Sequence, residues 1–379
     1  MTSAVVLGAG MVGTAMAWDM RRQGFDVTVI DAHAGALERV KAKADVRTLQ
    51  ADLSDDKTLR REVAPYDIVL GALSSSLGFA TLKSVIAARK TYVDISFMAE
   101  NAWELDALAK EHGVTAVVDC GVGPGMSNML IGRAVANMTR CERVDILVGG
   151  LPVIRRWPYE YKAPFAPSDV FEEYVRPARI VENGKIVLRE ALSEPELVHF
   201  DGFGTLEAFN TDGLRSLAYT LKVPHMRERT MRYPGHIELM RVLRDSGFFS
   251  SEEVLVGGVK VRPLDLTSKL IVPKWTFDEG EADVTVMRIE VEGIEAGLRL
   301  RRTWDLVDRY DAETGFRSMS RTTGFPATAV AGLLAKGAFR EPGVHPPEVL
   351  GRVPGFVDSV LAQLTARGVH FSERIITLD

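Results

Sequence analysis

An α/β protein, with a doubly wound parallel sheet and then a second α+β domain on a mixed or antiparallel sheet, is the fold class this sequence predicts. Three observations predict it. Apolar, β-branched runs alternate with helical stretches through the first third of the 379 residues. Glycines 8, 10 and 13 stand at the first strand-to-helix turn. Beyond residue 126 the texture changes to strand pairs flanking Gly-containing turns. The length exceeds one typical domain. Three segments are expected: 1–125, 126–319, and 320–379 returning to the first.

Residues 4–7 form the first strand, which runs into Gly8-Ala9-Gly10-Met11-Val12-Gly13 and a helix from Thr14 to Arg22. Gly8 permits the tight turn, Gly10 lets a pyrophosphate approach the backbone, and Gly13 lets helix and strand pack closely. The helix start offers unpaired N–H groups and a positive dipole end to phosphates. A second strand, Val27 to Ile30, ends at Asp31, close to the roughly 20-residue offset of a Rossmann-type dinucleotide-binding unit. A carboxylate there accepts ribose hydroxyls and repels a 2′-phosphate, so NAD is expected over NADP. Asp52 and Leu53, after a short strand at 46–49, are placed at the adenine edge. Strands at 67–70, 91–94 and 115–119 alternate with helices at 78–89 and 102–112. Ligands sit beyond the carboxyl ends of such strands, so Leu73, Ser74, Asp94, Ser96 and the loop Asp119 to Gly125 fall on the nicotinamide side.

In the second domain, strands are expected at 144–148, 178–181, 185–188, 283–291 and 297–306, and an Ala-rich helix at 327–336 packs back on the first domain. With the cofactor assigned to the first domain, the second supplies the substrate pocket at the cleft between them. Three polar stretches beside turns are the candidates: Tyr159 to Lys162, Thr211 to Arg215, and Arg232 to His236, with His225 upstream. Arginines such as Arg232 and Arg215 suit a carboxylate, since guanidinium makes two parallel hydrogen bonds. Histidine as a residue type titrates near neutrality, which makes His225 and His236 candidates, and a lysine buried near a cofactor, as Lys162 would be, can serve as a base. Each has a plainer reading: Arg232 as partner of a surface acid, Lys162 as a solvated strand residue, His236 as a structural hydrogen-bonder, Asp94 and Asp119 as helix caps or turn formers.

Composition removes other classes. Net charge is −5 with no basic run, so neither nucleic acid nor a membrane surface is an expected partner. No apolar run approaches the ~18 residues of a membrane span, and no leader peptide is read at the start. Two cysteines, Cys120 and Cys141, give no disulfide framework, and the seven histidines form no metal spacing. No metal and a cytoplasmic setting are expected.

The stretches Cys120 to Asn128, Gly149-Gly150-Leu151-Pro152, Arg232-Tyr233-Pro234-Gly235-His236 and Arg321 to Pro326 resemble the saccharopine dehydrogenase family, in the family's order and over nearly the whole chain. Within it they are most similar to the lysine 6-dehydrogenase branch. The resemblance implies a dinucleotide domain, a catalytic and dimer-forming domain, and a C-terminal return. It matches Arg232 to the arginine for the substrate α-carboxylate; Tyr161, Arg215, Leu151 and Ser96 are the further candidates for contact with substrate. Saccharopine reductases carry a substrate-contacting Asp where this chain has Gly123, which points toward lysine.

The implied reaction is oxidative deamination: hydride leaves the carbon bearing the ε-amine, and water hydrolyses the imine to the 6-semialdehyde, ammonia and NADH. The ε-amine, with a pKa of ~10.4, must first lose a proton. Candidate bases are His225, His236, Lys162 and Asp94, the neutral ones first, since a carboxylate raises the pKa of the amine it holds unless it takes the proton. Two alternatives stay open: reductive condensation of the saccharopine or carboxyspermidine type, with Arg155, Arg156 and Arg215 for a second acidic substrate, and a non-catalytic NAD sensor.

Overall fold

A computed structural model describes residues 1–164 and 167–379, with the backbone alone at Pro167 and Ser168. The chain divides into two compact units, Met1–Asn137 with Ser320–His370, and Met138–Met319 with Phe371–Asp379.

The first unit is the doubly wound sheet. Its strands β1 (Ser3–Leu7), β2 (Asp26–Asp31), β3 (Arg47–Gln50), β4 (Ile68–Gly71), β5 (Thr91–Asp94) and β6 (Thr115–Val117) alternate with helices. Among the described residues seven parallel strands stand in the order Gly343–His345, β6, β5, β4, β1, β2, β3. The sequence reverses direction between β1 and β4, the switch point at which such sheets bind ligands. Ala4 to Leu7 are fully buried, as expected of a strand covered on both faces. The core gathers Val5, Leu7, Ile30, Val69, Leu82, Ile86 and Tyr92.

Two features differ from the sequence reading. The helix Met126–Asn137 belongs to this unit, because Gly132 lies against the backbone of Glu348 and Gly351 against Met129 and Arg133. The Ala-rich helix begins at Ser318, so Arg321 to Pro326 lie inside it. The cause is remote in sequence: the Asp283 carboxylate accepts the N–H groups of Ser318 (2.6 Å) and Met319 (3.0 Å), the donors a helix start leaves unpaired. The C-terminal segment is fastened through buried Asp19, which accepts from Gln23 (2.9 Å), Thr328 (2.5 Å) and Arg367 (2.5 Å).

In the second unit the strands are β7 (Arg140–Pro152), β8 (Ala178–Glu182), β9 (Lys185–Arg189), β10 (Glu196–Phe200), β11 (Gly204–Asn210), β12 (His225–Arg232), the small hairpin β13 (Val254–Val256) and β14 (Val259–Val261), β15 (Asp283–Glu295) and β16 (Leu298–Arg309). The main sheet runs β10, β11, β12, β7, β15, β16, then Ser372–Thr377, with β8 and β9 attached at β12. It is mixed, because β12 pairs parallel with β7 while its other pairings are antiparallel. One apolar cluster gathers Leu147, Leu151, Leu206, Met231 and Val286. Another is aromatic: Tyr161, Phe171, Tyr174, Phe209, Phe249 and Trp275.

Candidate functional site

The glycine turn is shaped for a dinucleotide. A Cβ on Gly8, whose φ is +106°, would lie 2.5 Å from the Ala72 carbonyl oxygen, and one on Gly13 would lie 2.1 Å from that of Gly8. Nothing lies within 4 Å of the same position on Gly10, so there the backbone is open to an incoming pyrophosphate. Gly10 is the N-cap of the helix Met11–Arg22, and the first turn of a helix presents its N–H groups and positive dipole end to an anion. Asp31 ends β2 beside this turn, its carboxylate accepting from the N–H of Ala9 (2.7 Å) and of His33 (2.8 Å). Asp52 is exposed, and its carboxyl is held below the usual range by hydrogen bonds from Ser54, while Leu53 beside it is buried. Leu73 and Ser74 follow β4, with Ser74 Oγ 3.1 Å from Ser76 Oγ. These residues fit a bound NAD or NADP.

At the carboxyl end of β5 sits a buried acid. Asp94 is 1 % exposed, bonded through both carboxylate oxygens to Ser96. Room for it comes from Gly71, where a Cβ would lie 2.1 Å from the Tyr92 hydroxyl and 2.3 Å from Asp94 Oδ1. Burial pushes the Asp94 carboxyl up to about 7; hydrogen bonds from Ser96 and Tyr92 oppose the rise and the charge of Asp119 adds to it. Burial, with Asp94 and Asp119 beside it, pushes the Cys120 thiol far up, so that sulfur is no nucleophile.

In the second unit the structure brings Arg232, Tyr161 and His236 together. Arg232 ends β12 at 2 % exposure. Its Nη1 donates to the Met231 carbonyl (3.0 Å), and its Nη2 donates to Glu173 (2.6 Å) and to the Tyr161 hydroxyl (3.4 Å). The guanidinium also lies over the Tyr161 ring, 4.5 Å from its centroid. Its acid is thus Glu173 of the helix Pro167–Val175, and not a fully exposed surface residue. Gly235, at φ +96°, turns the chain so that His236 opens the next helix pointing inward. Nδ1 of His236 donates to the Tyr159 carbonyl (2.9 Å), which leaves Nε2 to accept the Tyr174 hydroxyl (2.9 Å). Burial, aided by Arg232, pushes this imidazole down to about 3, so it is neutral at pH 7.

The remaining candidates stand elsewhere in the unit. Lys162 is buried, not solvated, and donates to Glu281 and to Asp278 (3.4 Å). His225 is exposed at the far end of β12, seven strand positions and about 23 Å from Arg232. Leu151 is fully buried in register with Val284, and Gly149 and Gly150 before it have no room for a Cβ against Met231, Pro164 and Met319. Arg215 is buried at φ +50° in a loop held from below by Glu228, which accepts from Thr211 Oγ1 (2.6 Å) and Gly213 N–H (3.0 Å). Burial pushes Glu228 up to about 8. Sequence reasoning missed Glu173, Tyr174 and Glu228. The spacing of Val170, Phe171 and Tyr174 at i, i+1 and i+4 was the available signal for a helix with one inward face, and Glu173 accompanies it.

Among the described residues no group of three or more His, Cys, Asp or Glu is placed to hold a metal ion, and no helix is long and apolar enough to cross a membrane.

Two domain models match in order: saccharopine dehydrogenase NADP binding domain over residues 4–117, and saccharopine dehydrogenase C-terminal domain over 121–369. The saccharopine dehydrogenase (NADP+, L-glutamate-forming) of Pyricularia oryzae is 22% identical, covering 91% of this chain and 93% of its own. The carboxyaminopropylagmatine dehydrogenase of Synechocystis is 22% identical over 98% of each. The apo saccharopine dehydrogenase (L-Glu forming) of Saccharomyces cerevisiae shares the fold at a TM-score of 0.81, with 18% identity over 99% of this chain and 100% of that one. The Rossmann-type sheet, the glycine cradle and both domain models agree, and the chain belongs to the saccharopine dehydrogenase family of oxidoreductases.

Proposed function

We propose that this protein is a nicotinamide-dependent dehydrogenase acting at a carbon–nitrogen bond of an amino-acid substrate, in the saccharopine-type sense of joining an amine to a carbonyl by reduction, or the reverse. The observation that carries it is the match of both domain models, supported by relatives named as dehydrogenases of saccharopine and of carboxyaminopropylagmatine. A dinucleotide held at its pyrophosphate by the glycine turn would supply or take the hydride. Asp31 favours NAD, although the matching domain model and the Pyricularia relative are named for NADP. The chain's own residues do the rest. In the second unit Arg232 is the group suited to a substrate carboxylate, and in the first unit Asp94 is the buried acid suited to moving a proton. Of the four candidate bases Asp94 alone combines burial with a pKa of about 7, near the operating range of a general base.

A second reading is oxidative deamination of an ω-amine, L-lysine first, favoured by Gly123, which brings no carboxylate to the turn after Cys120. Absorbance at 340 nm separates the two, with NAD and NADP run in parallel. Oxidation of L-saccharopine, or NADH consumption when an aldehyde and an amino acid are supplied together, supports condensation chemistry. NADH and ammonia from L-lysine alone support deamination. Silence in every arm, with dinucleotide still bound, overturns both and leaves a sensor.

A further inference from the structure

Arginine holds a carboxylate best along one edge, with Nε and one terminal nitrogen donating in parallel. On Arg232 that edge is half used. Nη2 donates to Glu173 at 2.6 Å, while Nε is buried with no partner among the described residues. The Trp275 Nε1, in the aromatic wall that includes Tyr161 and Tyr174, is a second buried donor without a partner. Unmade buried donors are uncommon in native proteins, and the acceptor of a bound ligand is one group that satisfies them. The two members of the pair are unequally exposed: the Arg232 side chain keeps 2% of its surface and that of Glu173 keeps 19%. The acid is therefore the member able to turn away. Burial raises its carboxyl pKa against the pull of Arg232, so once parted from the guanidinium it takes up either a proton or another cation.

An α-amino acid brings both missing charges on one carbon. We propose that Arg232 and Glu173 form a clamp for a zwitterionic α-amino-acid end, with the substrate carboxylate on the Nε–Nη2 edge of Arg232 and the α-ammonium on Glu173. Glu173 is then a specificity residue, and its pairing with Arg232 fills the seat until substrate exchanges one ion pair for two. This rests on the amino-acid reading above and adds to it the group that recognises the α-nitrogen.

Calorimetric titration of the full chain tests it, with NADH present so that the amine probes bind without being oxidised. The probes are L-lysine and L-saccharopine, each beside its analogue lacking the lysine-end α-amino group (6-aminohexanoate for lysine), against the parent, Glu173→Gln and Arg232→Lys. Near-ultraviolet dichroism and dinucleotide titration confirm that each variant is folded. The parent should prefer the amino acid by about tenfold or more, as sites built around a polar group do. Glu173→Gln should erase most of that preference by weakening the amino acid alone, its analogue binding as well or better. Arg232→Lys should weaken both. Equal weakening of both probes in Glu173→Gln, or no change, overturns the clamp and leaves Glu173 as a support for Arg232. A parent that binds dinucleotide but no probe overturns the amino-acid reading itself.

Discussion

The carboxyl of Asp94 works against the folded state over a defined pH window. Its folded pKa of about 7 lies above the 3.8 of a free aspartate, so between those values the folded chain keeps a proton that the unfolded chain releases. Its contribution to stability is therefore complete below about pH 4, falls as pH rises to about 7, and is level beyond. Asp94→Asn removes the titration: the Tm gained relative to the parent should be larger at pH 8 than at pH 4, by thermal melts in matched buffers. A gain independent of pH would mean that Asp94 is not protonated in the fold. The same variant should abolish the limb near pH 7 in the profile of kcat if Asp94 carries the proton. The position of Asp94, at a strand end facing the ligand side, is legible in the sequence, and so is its i,i+2 alignment with Tyr92 and Ser96. What the sequence hides is the space that Gly71 vacates on the neighbouring strand.

Whole elements were legible where one period governed them. The parallel strands of the first unit stand out because burial on both faces makes each a continuous apolar run. Strand β12 was invisible for the opposite reason. His225-Met226-Arg227-Glu228-Arg229-Thr230-Met231-Arg232 carries charges on both faces, and they are tolerated because other strands, a loop and a helix bring partners: Asp145 to Arg227, Glu196 to Arg229, Thr211 to Glu228 and Glu173 to Arg232. No local pattern announces partners that arrive from elsewhere in the chain. The helix Met126–Asn137 illustrates a second kind of long-range dependence. Gly132 approaches the Glu348 carbonyl so closely that a Cβ would lie 2.3 Å away, and Gly351 meets the Met129 carbonyl in the same way at 2.3 Å. Gly132→Ala should cost about 1–3 kcal/mol, as overfilling a packed contact does. Denaturant melts should show it, while Gly10→Ala, which meets nothing within 4 Å, should leave stability nearly unchanged.

At the scale of the molecule, the last strand tells where stability is shared. Ser372–Thr377 pairs with β16 from Leu300↔Thr377 to Asp305↔Ser372, although the residues just before it belong to the first unit. Deleting residues 371–379 uncovers the β16 edge. Hydrogen exchange should accelerate along β16 and its neighbour β15, with the glycine turn and the strands of the first unit unchanged. Faster exchange in the first unit would show that the two units do not unfold separately. The same threading has a consequence for how the chain is made. Residues 1–137 of the first unit precede the second, yet Arg367, which pairs with Asp19 on the first helix, and the strand Gly343–His345 that extends its sheet are translated only after all of residues 138–319. On the ribosome the nucleotide turn therefore waits, with Asp19 lacking Thr328 and Arg367 and one sheet edge bare, while the unit encoded inside it is synthesised. The nascent chain therefore keeps an open sheet edge, a feature that favours aggregation, until residues 343–345 follow the whole of the second unit.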